Sequence, residues 1–490
     1  MTFAWAVGLV LGLLAPPVPP MAVDPPYFGI RVVDSATGRG VPLVELRTVN
    51  DISFITDSLG WIAFYEPDLM DREVYFAVSG PGYEHAKDGL GFRGVRLTTK
   101  TGTTVTVSVT RTNIAERMYR VTGQGIYRDS LLLGQINALL LNNNANVVGQ
   151  DSVQAVPYRG KLFWLWGDTN QANYPLGNFQ TTAATSSLKG NPESGIRLSY
   201  YTDPERPAFV RKMAPFKEPG VVWLFGLLTV KDDKNEEVVI SHFTRRKGLV
   251  DELEHGLVQF DDKAETFTKL STLPLTENWR FPRGNAVCIG EYYYFAFPFL
   301  HTRVKATLES VRTPEHYEAF AFDPKTKAYT WQRDAEPTTQ SEESKLLTSK
   351  SMPRDQARYQ LTEVASGKPV QIHTSSTTWN DYRKRWVMIG VEKGTKVSPS
   401  ALGEVWYAEA TEPTGPWSKT VKVASHPRYS FYNPRQHAFF AAEGGKVIYF
   451  EGTYTTTFSG NSTPTPRYEY NQILYRLDLS DERLKSAQGR

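Results

Sequence analysis

Two aspartates lie where a β-hairpin would bring them together. Asp151 begins one strand-like segment, residues 151–158, and Asp168 ends the next, residues 161–168. If Arg159 and Gly160 form a two-residue loop, cross-strand partners have numbers that sum to 319, so Asp151 lies opposite Asp168. Directly opposed residues have Cβ atoms about 4.5–5.5 Å apart. The spacing therefore predicts a paired carboxylate site.

Two carboxylates this close favour acid–base chemistry. Proximity raises the pKa of one carboxyl and leaves the other ionised, which is the division of labour that such chemistry needs. One aspartate would be the base or nucleophile and the other the acid or pKa partner. The alternative is a strand-end pair that is solvated or bridged by a cation. Pro157, or a register slip of one residue, would separate the two side chains.

Glu451 and Glu404 are further candidates for catalytic carboxylates. Glu451 directly follows the apolar run 447–450, and Glu404 directly precedes the run 405–407. A carboxylate beside an apolar strand is costly unless it is paired or functional. Each glutamate is therefore expected either to supply a third catalytic carboxylate or to form an ion pair at the strand end.

Five other residues are candidates for substrate binding: Arg283, Arg435, His437, Trp166 and Tyr174. An arginine suits an acidic or hydroxyl-rich sugar, and an aromatic ring offers a stacking face. Arg435 and His437 would meet either a ligand or an ion in a central channel, with a structural role as the alternative. We expect no cofactor and find no metal-loop motif.

The elements that would position these residues are β-strands. An aromatic strand, usually preceded by glycine, recurs five times, centred near residues 164, 223, 294, 387 and 448. Spacings of 59 to 93 residues suit four-stranded propeller blades that carry long loops. We therefore expect a five-bladed β-propeller over residues 146–480. A large sandwich or two stacked β domains are the alternatives.

The rest of the chain divides into shorter parts. Residues 27–111 alternate short strands with turn signals and predict a small antiparallel β-sandwich. Residues 112–145 have loop composition and predict a connector, while the polar residues 336–367 predict a long mobile surface loop. The fold class expected is all-β, an N-terminal β-sandwich followed by a five-bladed β-propeller.

Charge and composition exclude several classes. Lys and Arg total 55 against 52 Asp and Glu, so the net charge of +3 carries no basic excess for nucleic acid. A single cysteine, Cys288, excludes an intrachain disulfide framework. The apolar run 3–15, followed by prolines, predicts a signal segment over residues 1–22, although no Lys or Arg precedes Arg31. We expect a secreted or periplasmic protein whose mature chain has no membrane span.

Particular motifs after residue 146 resemble a known family. Residues 149–152 (Gly-Gln-Asp-Ser) and 167–169 (Gly-Asp-Thr) resemble the first blade of five-bladed glycoside-hydrolase propellers, in the branch that includes D-arabinan hydrolases. Residues 403–410, followed by 414–418 (Thr-Gly-Pro-Trp-Ser), are similar to blade edges in the wider group of sugar-cleaving propellers. Ser152 departs from the Asp-Leu-Gly pattern of that branch, which leaves the substrate open. Related propellers sometimes hold a calcium ion in the channel, so the resemblance also leaves a channel calcium ion open.

The N-terminal part has a resemblance of its own. Residues 33–42 and 56–60 are similar to the opening of transthyretin-like sandwiches of the carboxypeptidase-regulatory type. That likeness implies a fold and an accessory role rather than a chemistry.

Together these features predict a secreted glycoside hydrolase-like protein that cleaves a polysaccharide or oligosaccharide by paired-carboxylate chemistry. Two alternatives stay open. One is a non-catalytic carbohydrate-binding or cell-surface propeller. The other is a polysaccharide lyase, which would need a Tyr, His or Lys base near an arginine.

Overall fold

The computed structural model describes residues 26–135, 145–276, 279–394 and 400–487. Regular structure in these ranges is mostly β, in eight sheets, which confirms the all-β class. Three short α-helices accompany the sheets: α1 Arg128–Leu132, α2 Leu308–Arg312 and α3 Gln340–Thr348. None of the helices in the described ranges is long and apolar enough to cross a membrane. The signal segment predicted at residues 1–22 lies outside the described residues.

The first part consists of two four-stranded sheets that share a core. Its strands are β1 Phe28–Asp34, β2 Glu45–Thr48, β3 Ser53–Ile55, β4 Trp61–Phe64, β5 Glu73–Ser79, β6 Tyr83–Glu84, β7 Gly94–Thr98 and β8 Thr104–Arg111. The sheet orders are β4-β1-β8-β6 and β3-β2-β5-β7. Ile30 and Phe64 of the first sheet pack with Leu46 and Phe76 of the second. The two sheets therefore form two layers over one core. The expectation of purely antiparallel pairing is wrong for β1 and β8, which pair in parallel.

Five antiparallel sheets follow, which we number sheets 1 to 5 in chain order. Sheet 1 contains β11 Gln154–Tyr158, β12 Lys161–Trp166, β15 Thr182–Ser187 and β16 Ser199–Tyr200. Sheet 2 contains β17 Val221–Lys231, β18 Glu237–Lys247, β19 Asp251–Asp261 and β20 Thr266–Leu273. Sheet 3 contains β21 Asn285–Ile289, β22 Tyr292–Ala296, β23 Leu300–Lys305, β24 Glu318–Asp323 and β25 Ala328–Gln332.

The last two sheets each include an additional edge strand, which in sheet 5 comes from a distant part of the chain. Sheet 4 contains β27 Ile372–Asn380, β28 Arg385–Glu392, β29 Glu404–Ala410 and β30 Lys419–Ser425, with β26 Thr362–Glu363 parallel at its edge. Sheet 5 contains β31 Ser430–Gln436, β32 Val447–Thr455 and β33 Asn471–Asp478, and β9 Glu116–Arg120 is its outer strand. A separate three-stranded sheet contains β10 Val147–Gln150, β13 Thr169–Gln171 and β14 Tyr174–Asn178.

The first strands of sheets 1 to 5 surround an axial channel. Consecutive first strands contact one another from β11 through β17, β21 and β27 to β31. The first and last of these strands are also linked, because Arg435 on β31 donates from Nη2 to the carbonyl of Ala155 on β11, at 3.2 Å. The starts of these strands therefore meet at one end of the channel and their ends at the other.

The predicted connector is wrong for part of its length. Residues 116–120 form β9, which pairs with β33 and completes sheet 5. Arg117 in this strand is buried and donates to the carbonyls of Pro42, Leu43 and Pro81. Strand β9 therefore joins the N-terminal sheets to sheet 5. The sequence did not predict this strand, because the residues around it have loop composition and its partner strand lies about 350 residues away.

The predicted loop at residues 336–367 is also wrong. It contains α3, whose Thr339 and Glu342 form a capping box. Glu343 is buried and accepts hydrogen bonds from the phenol of Tyr329 and from the backbone of Arg358 and Tyr359. Polar composition here reflects a buried hydrogen-bond network as well as a solvated face.

Candidate active site

The hairpin predicted around the two aspartates is confirmed. Strand β11 pairs with β12 in the register Gln154↔Leu165 through Tyr158↔Lys161. Arg159 and Gly160 form the loop with φ values of 46° and 74°, as a type I′ turn requires. Pro157 lies within β11 without shifting the register.

Asp151 and Asp168, the aspartate pair, lie at the open end of this hairpin. The backbone amide of Asp151 donates to the carbonyl of Asp168 at 3.3 Å, and the amide of Gly167 donates to the carbonyl of Asp151 at 2.9 Å. A Cβ atom on Gly167 would lie 2.2 Å from Oδ1 of Asp151. Glycine at position 167 therefore lets the Asp151 carboxylate occupy this place.

Two tyrosines from sheet 5 and the loop before β33 hold Asp151. The phenols of Tyr432 and Tyr470 both donate to Oδ2 of Asp151, at 2.8 and 2.9 Å. Burial raises the pKa of Asp151, and these two hydrogen bonds act in the opposite direction because they stabilise the carboxylate. Burial, followed by the charge of Asp151, raises the pKa of both phenols well above 10, so they stay protonated donors.

Asp168 has a different environment. It is buried, and Nε1 of Trp223 on β17 donates to its Oδ1 at 2.8 Å. Burial, together with the negative charge of Asp151, raises the pKa of Asp168 from 3.8 to about 7. The two carboxyls therefore have different neighbours. Asp168 is largely protonated at pH values below about 7, while Asp151 has two donors that favour its ionised form.

One exposed aromatic ring, that of Phe297, lies at a small cavity next to the residue that follows Asp151. The cavity, of about 80 Å³, opens next to Ser152 and is lined by Gln154, Phe297 and Asn433, among others. Phe297 is 49% exposed, and the guanidinium of Arg283 lies 5.4 Å from its ring centroid. Arg283 therefore stays a candidate for substrate binding at this end of the channel.

The two glutamates are not part of this site. Glu451 is fully buried, and its Oε1 lies 2.6 Å from Nε2 of His437, which is also buried. Glu404 is buried and pairs with Nζ of Lys422 at 2.7 Å and with the hydroxyl of Ser425 at 2.6 Å. Their burial argues against direct contact of either glutamate, or of His437, with a substrate. Both glutamates therefore fit the alternative interpretation, in which each one is paired with another side chain at the end of a strand.

The predicted aromatic contacts differ in outcome. Trp166 is 1% exposed and stacks on Trp164 inside the core, so the expectation that it stacks on a sugar is corrected. Trp166 is buried because it lies on β12, an inner strand of sheet 1 in which every residue except Lys161 is buried. Tyr174 on β14 is 68% exposed and stays a candidate for substrate contact.

A cation in the channel does not fit the residues present. The described part of the chain contains no group of three or more His, Cys, Asp or Glu that could hold a metal ion. The buried charge that faces the channel is the guanidinium of Arg435, a cation itself. The calcium ion that the sequence left open would therefore meet like charge there.

Sequence reasoning missed the three side chains that hold the aspartate pair: Tyr432, Tyr470 and Trp223. The two tyrosines lie 281 and 319 residues from Asp151, and the tryptophan lies 55 residues from Asp168. Tyr432 could have been found from its position near the start of β31, because the first strands of the sheets converge at the end of the channel where Asp151 lies.

Comparisons with known proteins give structural likenesses only. No protein-family model matches the chain. No significant match appears among curated proteins. Among solved structures, a candidate hydrolase from Bacteroides ovatus is 13% identical, with a TM-score of 0.43, and the match covers 68% of this chain and 86% of that one.

Two sugar-cleaving enzymes are among the other similar structures. An α-L-arabinofuranosidase from Fusarium graminearum is 11% identical with a TM-score of 0.35, and an exo-1,5-α-L-arabinanase from a bovine ruminal metagenomic library is 10% identical with a TM-score of 0.34. Each match covers 68% of this chain and 94% of the other. Because these TM-scores lie below 0.5, the proposal below rests on the geometry of the site.

Proposed function

We propose that this protein is a glycoside hydrolase whose acid–base pair is Asp151 and Asp168. The observation that carries the proposal is the raised pKa of Asp168, about 7, next to a second carboxylate held by two phenols. A carboxyl that titrates near neutral pH can give up a proton to a leaving oxygen and recover it. In this proposal sheets 1 to 5 are the five blades of a propeller, and the N-terminal sheets are an accessory sandwich.

The two environments assign the roles. Asp168 is the general acid, because burial and its neighbour keep it protonated below about pH 7. Asp151 is the base or nucleophile, because Tyr432 and Tyr470 donate to its carboxylate. Trp223 positions Asp168 through a single hydrogen bond to Oδ1, which leaves its other oxygen for a proton.

Hydrolysis is favoured over elimination at this site. A lyase needs a base that removes a proton from carbon, and Tyr432 and Tyr470 are the tyrosines in contact with Asp151. Their raised pKa values keep both phenols protonated, so neither can accept a proton at neutral pH. The site therefore presents an acid and a carboxylate, as glycoside hydrolysis requires.

The substrate class follows from the surroundings and from the resemblance of the sequence. Exposed Phe297 and Tyr174 offer flat apolar faces, and Arg283 offers a cation for hydroxyl groups or an acid group. We propose a polysaccharide or oligosaccharide substrate, with a secreted or periplasmic location that rests on the signal predicted at residues 1–22. A non-catalytic carbohydrate-binding protein would not need a carboxyl with a pKa near 7.

A polysaccharide panel tests the proposal against both alternatives. Release of reducing ends without an ultraviolet-absorbing unsaturated product supports hydrolysis. An unsaturated product would show a lyase. Binding to a polysaccharide that yields no product of either kind would show a binding protein and overturn the proposal.

A further inference from the structure

Arg435 is a buried cation whose neighbours do not neutralise it. Its side chain lies at the narrow part of the axial channel, and the residue is 8% exposed. Nη1 donates to Oδ1 of Asn285 at 2.5 Å, and Nη2 donates to the carbonyl of Ala155 at 3.2 Å. No carboxylate of the described residues lies within ion-pair distance of this guanidinium. Both of its partners are neutral.

A buried guanidinium in such surroundings is costly. Removing a charge from water is offset only by a counter-charge and by filled hydrogen bonds. A guanidinium has five N–H donors, and the described residues accept from two of them. Burial alone lowers the pKa of Arg435 to about 10, which still leaves it charged at neutral pH.

The channel widens directly beside Arg435. A cavity of about 440 Å³, here called the axial cavity, lies toward the ends of the first strands. Residues from all five sheets line it, among them Val156, Thr229, Val287, Thr377 and Arg435. Lys231 and Glu237 also line the axial cavity, and their opposite charges cancel. The net positive charge of the lining therefore comes from Arg435.

A second unfilled polar group lies at the same place. Gln436 is 4% exposed, and its Nε2 donates to the hydroxyl of Thr378 at 2.6 Å. Its Oε1 is buried and has no hydrogen-bond donor among the described residues. A ligand in the axial cavity would therefore meet free donors on Arg435, and Gln436, which also lines the cavity, has a buried acceptor without a donor.

We propose that the axial cavity binds a small oxyanion that pairs with Arg435. Carboxylate and phosphate share the paired oxygens that a guanidinium recognises. A hydroxyl group on the ligand, or a bound water, would donate to Oε1 of Gln436. The site lies on the opposite side of Arg435 from the small cavity beside Asp151, so it does not depend on the proposed hydrolysis.

Calorimetric titration of the full-length protein with sodium citrate and with sodium phosphate tests this proposal. We expect saturable binding of one anion per chain. Either anion is a suitable probe, since both present the paired oxygens that a guanidinium recognises. No saturable binding of either anion, or calcium binding in their place, would overturn the proposal.

Asn285→Asp is the informative variant. It places a carboxylate 2.5 Å from Nη1 of Arg435 with little change of shape, so it should replace the ligand. We expect the affinity for citrate to fall at least about 10-fold, since a charged hydrogen-bond partner is supplied internally. Citrate should raise the melting temperature of the wild type and leave that of the variant unchanged.

Two further variants make the result specific. Asn50→Asp adds the same charge in an exposed turn of the N-terminal sheets and should bind citrate like the wild type. Arg435→Gln, if it folds, should also lose binding. Equal citrate affinity in the wild type and Asn285→Asp would refute the anion site even if Arg435→Gln does not fold.

Discussion

Replacing Asp168 with asparagine should stabilise the protein, and the gain should grow with pH. The pKa of Asp168 is raised from 3.8 to about 7 by burial and by Asp151. A carboxyl whose pKa is raised by folding destabilises the folded state once it must ionise, so the cost begins above pH 3.8 and is complete above pH 7. Asparagine cannot ionise, and its Oδ1 still accepts from Trp223.

The size of the effect follows from the same pKa. A rise from 3.8 to about 7 corresponds to about 4 kcal/mol, with each pKa unit equal to 1.36 kcal/mol. At pH 8 nearly all of this cost is present, whereas at pH 5 less than half of it is. The stability gain of Asp168→Asn should therefore be about 2 to 3 kcal/mol larger at pH 8 than at pH 5.

Urea unfolding followed by circular dichroism at the two pH values measures this difference. Asp381→Asn is a matched control, because the Asp381 carboxylate is 72% exposed and its removal should have a small effect at both pH values. A gain from Asp168→Asn that is equal at pH 5 and pH 8, or a loss of stability at pH 8, would refute the raised pKa and the proposed acid role.

Three further predictions concern the supports of the site. Tyr470→Phe removes one donor to Asp151, so the pKa of Asp151 should rise and the acidic limb of the kcat/KM profile should move up by about one pH unit. Gly167→Ala places a Cβ 2.2 Å from Oδ1 of Asp151, and activity measured by reducing-end release should fall at least about 10-fold with little change in melting temperature. A chain that begins at residue 144 lacks β9 and should show a lower thermal transition, measured by calorimetry, than one that begins at residue 112.

Each of these has a control and a contrary result. Tyr158→Phe removes a phenol that donates to the surface residue Asp262, so the pH profile should not move. Gly190→Ala adds a Cβ in ordinary contact, 3.5 Å from the nearest atom, and should keep full activity. An unchanged acidic limb in Tyr470→Phe, full activity in Gly167→Ala, or equal transitions for the two shortened chains would contradict the respective argument.

The aspartate pair could be predicted from the sequence because one local element decides it. A two-residue turn at Arg159 and Gly160 fixes the register of the whole hairpin, and register fixes which residues are opposed. The environment of the pair could not be predicted, since Tyr432 and Tyr470 reach it through contacts between distant sheets. Those contacts lower the pKa of Asp151 against the opposing effect of burial.

The two glutamates show that the sequence of one strand predicts burial of a carboxylate but not its partner. An acidic residue beside an apolar strand signals a buried carboxylate, and both Glu404 and Glu451 are indeed buried. Whether such a group faces a ligand or a partner depends on the neighbouring strand, which here supplies Lys422 for Glu404. His437 plays the same part for Glu451.

The sequence located the recurrent aromatic strands but did not show which position each strand occupies within its sheet. Four of the five recurrent aromatic strands are the second strands of their sheets, β12, β22, β28 and β32, but β17 is a first strand. Aromatic residues mark burial on both faces and do not mark position within a sheet. Strand β9 was missed for a related reason, because its five residues are all buried although three of them are charged.

The central claim is that the aspartate pair hydrolyses a glycosidic bond. The most direct measurement is the rate of reducing-end release by the wild type, Asp151→Asn and Asp168→Asn on a polysaccharide that the wild type cleaves. We predict that each variant keeps its fold and loses activity by roughly two or more orders of magnitude, the scale of lost general acid–base catalysis. Full activity in either variant would contradict the account.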